Sequence, residues 1–131
     1  AEGPLPLERL VVLVARAFGV ERLRDERRKK VVYQVRASGA TVDRDKFVWP
    51  EAVDRVTWRE FRPNDSASDR LFKDISVVEL ANAMRFWRDA DPTVDDGEID
   101  RRTLQTFGRR RNTREAASQL AAARELLLCR G

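Results

Sequence analysis

A doubled Phe-Gly stop narrows the possible folds more than any other feature. Phe18-Gly19 and Phe107-Gly108 each end a stretch whose apolar residues recur at three- and four-residue spacing. A glycine placed directly after such a stretch is a common helix terminator. A short charged link follows each pair, residues 20–24 and 109–113, and then a longer helical stretch in which Glu26 aligns with Glu115 and Val31 with Leu120. Few identities survive, so the matching order carries the repeat. Two helices joined by a tight glycine-bearing corner make a helix-turn-helix geometry. The competing reading is two helical hairpins that match for packing reasons alone.

The remaining elements follow from local pattern. Leu7 to Phe18 reads as a helix with Leu10, Leu13, Val14 and Phe18 on its apolar face. Pro6 stands near its first turn, where a missing N–H costs nothing. A second helix is predicted from about Leu23 to Ala37, with Asp25 and Glu26 in its first turn, Val31, Val32 and Val35 on the buried side and Tyr33 at the margin. Thr41-Val42 and Lys46 to Trp49 read as strands turned by Asp43-Arg44-Asp45, and Val56 to Phe61 as a third extended run. Asn64 to Asp69 is the most linker-like stretch. Ser76 and Glu79 form the pattern of a capping box ahead of a helix carrying Val77, Leu80, Ala81, Met84 and Trp87. A short helix is expected over Glu98 to Phe107. Thr113 is placed to cap a last helix with Ala116, Leu120, Ala123 and Leu127 on its inner face. The expected fold class is mainly α with a small β-hairpin or wing (α+β). A winged-helix or helix-turn-helix-like unit would span 1–63, with helices at about 7–18 and 23–37 and strands at about 41–49 and 56–61. A second helical unit would span 64–131, with helices at about 77–88, 98–107 and 114–128; one compact domain is the alternative.

Charged residues make up 37% of the 131 residues, against roughly 25% in an ordinary soluble domain, so long helical faces must stand in water. The net charge of +4 is modest, and its distribution matters more. Lys and Arg gather at Arg22 to Lys30 and Arg109 to Arg114, acid at Asp89 to Asp100. The single cysteine, Cys129, permits no internal disulfide, which suits a reducing, cytoplasmic setting. No apolar run is long enough to span a membrane. The start, Ala1-Glu2-Gly3-Pro4, has no initiator methionine, which suggests a piece of a longer protein.

Catalytic chemistry finds little support. There is no histidine, so the commonest general base and zinc ligand are missing. No glycine-rich phosphate loop and no nucleophile–base pairing of recognisable spacing are present. Asp96-Gly97-Glu98-Ile99-Asp100 imitates the middle of a calcium loop, but ligand positions one, three and twelve would fall on Pro92, Val94 and Thr103. The expectation is therefore no enzyme, no metal, no cofactor and no small-molecule substrate. The acids read as a favourable approach to a helix N-terminus.

The basic clusters point to a polyanion. Arg24, Arg27, Arg28, Lys29 and Lys30 cover more than one side of the second helix, so some must face solvent whichever side is buried. Arg44 and Lys46 stand at the tip of the wing. Arg109, Arg110 and Arg111, with Arg114, form a second patch. Such side chains would contact DNA phosphates, adding affinity but little sequence choice. Trp49 and Trp58 read as core residues rather than base-stacking platforms.

Glu2-Gly3-Pro4-Leu5-Pro6, Ala15-Arg16-Ala17-Phe18-Gly19 and Phe47-Val48-Trp49-Pro50, with the later segments from Ile75-Ser76 to Asn82-Ala83 and at Phe107-Gly108, resemble a C-terminal winged-helix-like domain of large bacterial superfamily I helicase-like proteins. In that family the link between the first two helices carries a glycine, where this chain has Val20-Glu21-Arg22-Leu23. The resemblance implies a parent with a helicase motor and often a very-short-patch-repair-like nuclease domain, whose catalytic motifs lie upstream. The expected role is a non-catalytic accessory domain that holds DNA by its backbone. The alternative is a docking domain packed against the parent helicase and nuclease domains, through the apolar face of the Val77 to Trp87 helix or the hairpin with Trp58.

Overall fold

A computed structural model describes residues 3–17, 19, 25–54, 56–64 and 70–130. The described residues fall into two compact units, 2–58 and 59–131. The architecture is mainly α with a small antiparallel sheet.

The first unit runs β1 (Leu5–Pro6), α1 (Leu7–Ala17), α2 (Asp25–Ala37), β2 (Thr41–Val42) and β3 (Phe47–Trp49). β3 is the central strand. β1 pairs with it antiparallel, Leu5 opposite Val48, and β2 pairs on its other side with Val42 opposite the same residue. Two helices followed by a hairpin, with the leading strand closing the sheet, is a winged-helix-like order. Pro6 fits because it lies on an edge strand, where a missing N–H leaves no ladder bond open. A small core of Leu7, Val11 and Val48 joins the layers, with Val31, Val32 and Val35 of α2 packed on it. Trp49 is fully buried, and its ring meets that of Trp58 edge-on at 5.4 Å, so both indoles are core residues.

Two expectations are corrected here. The run 56–61 is not a strand. Asp54 accepts the N–H groups of Val56 through its carboxylate and of Thr57 and Trp58 through its carbonyl. A turn thus takes the donors that a ladder would need, and β1 occupies the free edge of β3. The buried face of α1 is Leu7, Val11 and Ala15, whereas Leu13 is 45% exposed. The continuous apolar run Leu10 to Val14 makes two faces about equally apolar, and only the sheet beneath selects between them. Phe18 and the link 20–24 lie outside the described residues. The glycines of the repeat do match. Gly19 and Gly108 have φ of 72° and 74°, and each donates to the carbonyl three residues back at 3.0 Å. Glycine reaches that left-handed region without steric cost.

The second unit holds a 3-10 turn (Phe72–Asp74), α3 (Val77–Ala90), α4 (Asp96–Thr106) and α5 (Arg114–Arg130). Leu80, Ala83 and Met84 of α3 pack with Ile99 and Leu104 of α4 and with Ala116, Leu120, Ala123 and Leu127 of α5. The apolar face expected of α5 is thus the buried one. Thr113 caps α5, its hydroxyl accepting from the Ala116 N–H at 3.2 Å. α4 begins two residues ahead of expectation because Asp95 is its cap, accepting from the Glu98 N–H at 2.8 Å. Most of the linker-like stretch, 65–69, lies outside the described residues. None of the described helices is long and apolar enough to cross a membrane.

The predicted capping box is replaced by something stronger. Ser76 does cap α3, but its hydroxyl accepts from Val78 N–H, and the Glu79 side chain turns away from it. Glu79 is fully buried between two guanidinium groups. It accepts from Arg62 Nη2 at 2.7 Å, from the Arg62 backbone N–H at 2.7 Å, and from Arg70 Nη1 and Nη2 at 3.0 and 2.8 Å. Burial alone would raise this carboxyl, but the hydrogen bonds from Arg70 and Arg62 outweigh it and hold the group below the ordinary carboxylate range. The same contacts tie the segment 59–64 to α3, with Asn82 donating to the Glu60 carbonyl at 2.8 Å. Those residues therefore belong to the second unit.

Glu79→Gln should destabilise the second unit by about 3 kcal/mol, since it leaves two partly buried guanidinium groups uncompensated. Chemical denaturation at neutral pH checks this. The folded-state value lies below the unfolded one, so this stabilisation is complete above the ordinary carboxylate range and is lost as pH falls through the depressed folded value. The variant should accordingly show a flatter acid limb than the parent chain.

Candidate nucleic-acid interface

The helix α2 is amphipathic along a narrow stripe. Arg28, Val31, Val32 and Val35, which share one side of the helix (28/31/35 and 28/32/35), are half-buried, and no residue of the helix is fully buried. The rest of its circumference faces solvent. Arg27, Lys29 and Lys30 are exposed there and form no ion pair with any described residue. Arg28 behaves differently. It lies in line with the valines and pairs with Glu8 in the first turn of α1. Arg24 lies outside the described residues. Of the predicted basic residues on this helix, three are thus without an ion-pair partner among the described residues and one is engaged.

The outer face also carries residues that the sequence reading did not select. Tyr33 is 70% exposed, and Gln34 and Arg36 are exposed beside it. Tyr33 was expected at the margin of the buried side. It stands one turn beyond Lys29 and Lys30, and that spacing relative to the valines was the available signal.

The wing is organised by one carboxylate. Asp43 Oδ1 accepts from the backbone N–H groups of Asp45 and Phe47, and its Oδ2 accepts from Trp49 Nε1, all at 2.9 Å. The Lys46 N–H donates to the Asp43 carbonyl at 3.0 Å, and Lys46 is held at φ 64°. Its carbonyl accepts from Leu7 N–H at 2.9 Å, which anchors the turn to the start of α1. Arg44 and Lys46 are thereby displayed at an exposed tip and form no ion pair with any described residue, and exposed Asp45 between them reduces the local charge.

In the second unit, Arg110, Arg111 and Arg114 are exposed and Arg109 is half-buried; none makes an ion pair among the described residues. The acids of the 89–100 stretch are largely engaged elsewhere. Hydrogen bonds from Arg101 and Arg102 lower the Glu98 carboxyl to about 2. Asp100 accepts from Arg124 at 2.5 Å and so raises the pKa of that guanidinium, and Asp91 approaches Arg102. Glu98, central to the resemblance to a calcium loop, thus serves two arginines of its own helix. The two basic sets belong to different units: Arg27, Lys29, Lys30, Arg44 and Lys46 to the first, Arg109 to Arg111 and Arg114 to the second.

Comparison of the chain with protein-family models, curated proteins and solved structures finds no match. The functional reading therefore rests on the residues themselves.

Removing the Asp43 carboxylate strands three donors at the base of the wing. Asp43→Ala should cost the first unit about 2 kcal/mol, read as a lower denaturation midpoint by tryptophan fluorescence.

Proposed function

We propose that this chain is a non-catalytic, cytoplasmic accessory domain that binds DNA mainly through backbone phosphates. The observation that carries the reading is that Arg27, Lys29 and Lys30, exposed on α2, form no ion pair with any described residue, while the helix packs on its unit through Val31, Val32 and Val35. A helix with a free polar face, followed by a wing that displays Arg44 and Lys46, is suited to approach a groove and grip the strands that flank it. Tyr33 and Gln34, in the middle of the same face, are positioned to meet base edges. Arg109, Arg110, Arg111 and Arg114 supply a second basic patch. The parent helicase and nuclease domains implied by the family resemblance would carry the chemistry.

Docking against those parent domains is the second reading. Val12 and Leu13, adjacent on α1 and 46% and 45% exposed, favour it. The surfaces first expected to dock do not: Leu80, Ala81 and Met84 of α3 and Trp58 are buried within their own units.

Fluorescence anisotropy with a duplex of about 20 base pairs tests the leading reading. Affinity should fall steeply with salt, with a log–log slope near about −3 to −4 for four or so phosphates. Lys29→Glu with Lys30→Glu should weaken binding about tenfold or more and make the slope about two units shallower. Glu8→Gln should strengthen binding about two- to fivefold by releasing Arg28, with almost no effect on stability. Binding that is absent at low salt, or insensitive to salt, overturns the reading.

A further inference from the structure

We infer that the corner between α4 and α5 is a binding site for a phosphate monoester carried on a nucleotide. The corner borders an open cleft of about 460 Å³, within the range of sites that seat a ligand of that size. Arg109, Arg110 and Arg111 line it, together with Phe72, Thr113 and Ala116. Among the described residues, no carboxylate lines it. The Nε of Arg109 is buried and has no hydrogen-bond partner among the described residues.

The way α4 ends fixes the sign of this site. A corner where one helix stops and another starts ordinarily presents bare carbonyl oxygens as well as bare N–H groups. Here the carbonyls are taken. Leu104 O accepts from the Arg109 and Phe107 N–H groups, and Gln105 O from that of Gly108. Thr106 O accepts from the Asn64 N–H, and Phe107 O from the Asn64 side-chain amide at 3.3 Å. The negative end of α4 is thus capped. The positive end of α5 adjoins the cleft through its cap, Thr113, and its first-turn residue, Ala116.

Three lining arginines that form no ion pair with any described residue exceed what one singly charged backbone diester requires. They match a monoester, which carries about −1.5 to −2 near neutral pH, and guanidinium planes bind phosphate bidentately. Phe72 and Ala116 add an apolar wall for the sugar or base, which favours a nucleotide over a bare anion. The site therefore suits the phosphorylated end of a strand or a free nucleoside monophosphate. The inference rests on the reading of Arg109 to Arg111 as a second phosphate patch, and it is independent of the groups on α2.

The test is an amide-shift titration of the isotope-labelled full chain, following Gly108, Thr113 and Ala116. The probes are AMP, adenosine, inorganic phosphate, and one single-stranded oligonucleotide with and without a terminal phosphate. AMP and the phosphorylated oligonucleotide should shift the three amides saturably, and adenosine should not. Inorganic phosphate should bind about tenfold more weakly than AMP, and Arg110→Ala with Arg111→Ala should weaken AMP by about tenfold. Tighter binding of the phosphorylated oligonucleotide than of AMP identifies a strand end as the ligand, and equal binding identifies the free nucleotide. No saturable shift, adenosine equal to AMP, or an unaffected double variant overturns the site; inorganic phosphate equal to AMP overturns the nucleotide assignment. Repeating the titration on the Lys29→Glu, Lys30→Glu chain separates the two claims. Unchanged AMP shifts show that the cleft acts without α2, and lost shifts overturn its independence.

Discussion

A stripe of three valines governs the surface of the first unit. Val31, Val32 and Val35 pack α2 onto Leu7, Val11 and Val48, and none of the three is fully buried. At roughly 25 cal/mol per Å² such partial burial stabilises by only a few kcal/mol, so the helix is held by an edge and not enclosed. Everything off that edge stays in water. The basic side chains on the outer face are available for that reason, and Arg28, which lies on the line of the valines, is the one drawn into an internal pair with Glu8.

Arginine meets two fates in the second unit, decided by what the tertiary fold places beside it. Arg62 and Arg70 close on the buried carboxylate of Glu79, and Arg101, Arg102 and Arg124 on the acids of α4. These groups hold segments together and have little left to offer a ligand. Arg109 to Arg111 sit at a corner whose carbonyls are capped by Asn64 and by the turn itself, with no acid among the described residues that line the cleft. The contrast turns on electrostatic company, since the residue type is the same in both places.

Much of the architecture was legible beforehand. The five helices of the described residues, the hairpin and the glycine stops were all visible, because each is set by spacing, caps and turn residues within a few positions of one another. The failures share a cause. Whether Val56 to Phe61 pairs as a strand depends on β1, some fifty residues away in the chain. Whether Leu13 or Val11 faces inward depends on a sheet that the helix does not contain. Glu79 satisfies a capping pattern as well as a buried charge cluster, and only the approach of Arg62 and Arg70 separates the two. Tyr33 was misjudged because an aromatic residue beside valines reads as core until the width of the apolar stripe is known.

Composition and periodicity by themselves settled the helical character, the places where helices end, and where positive charge accumulates, since these follow from interactions between near neighbours. Tertiary structure alone decided which positive charges stay free, which carboxylates are consumed, and where a cleft opens. Pairing and burial depend on contacts between segments far apart in the chain, and no local pattern encodes the distance at which two such groups will meet.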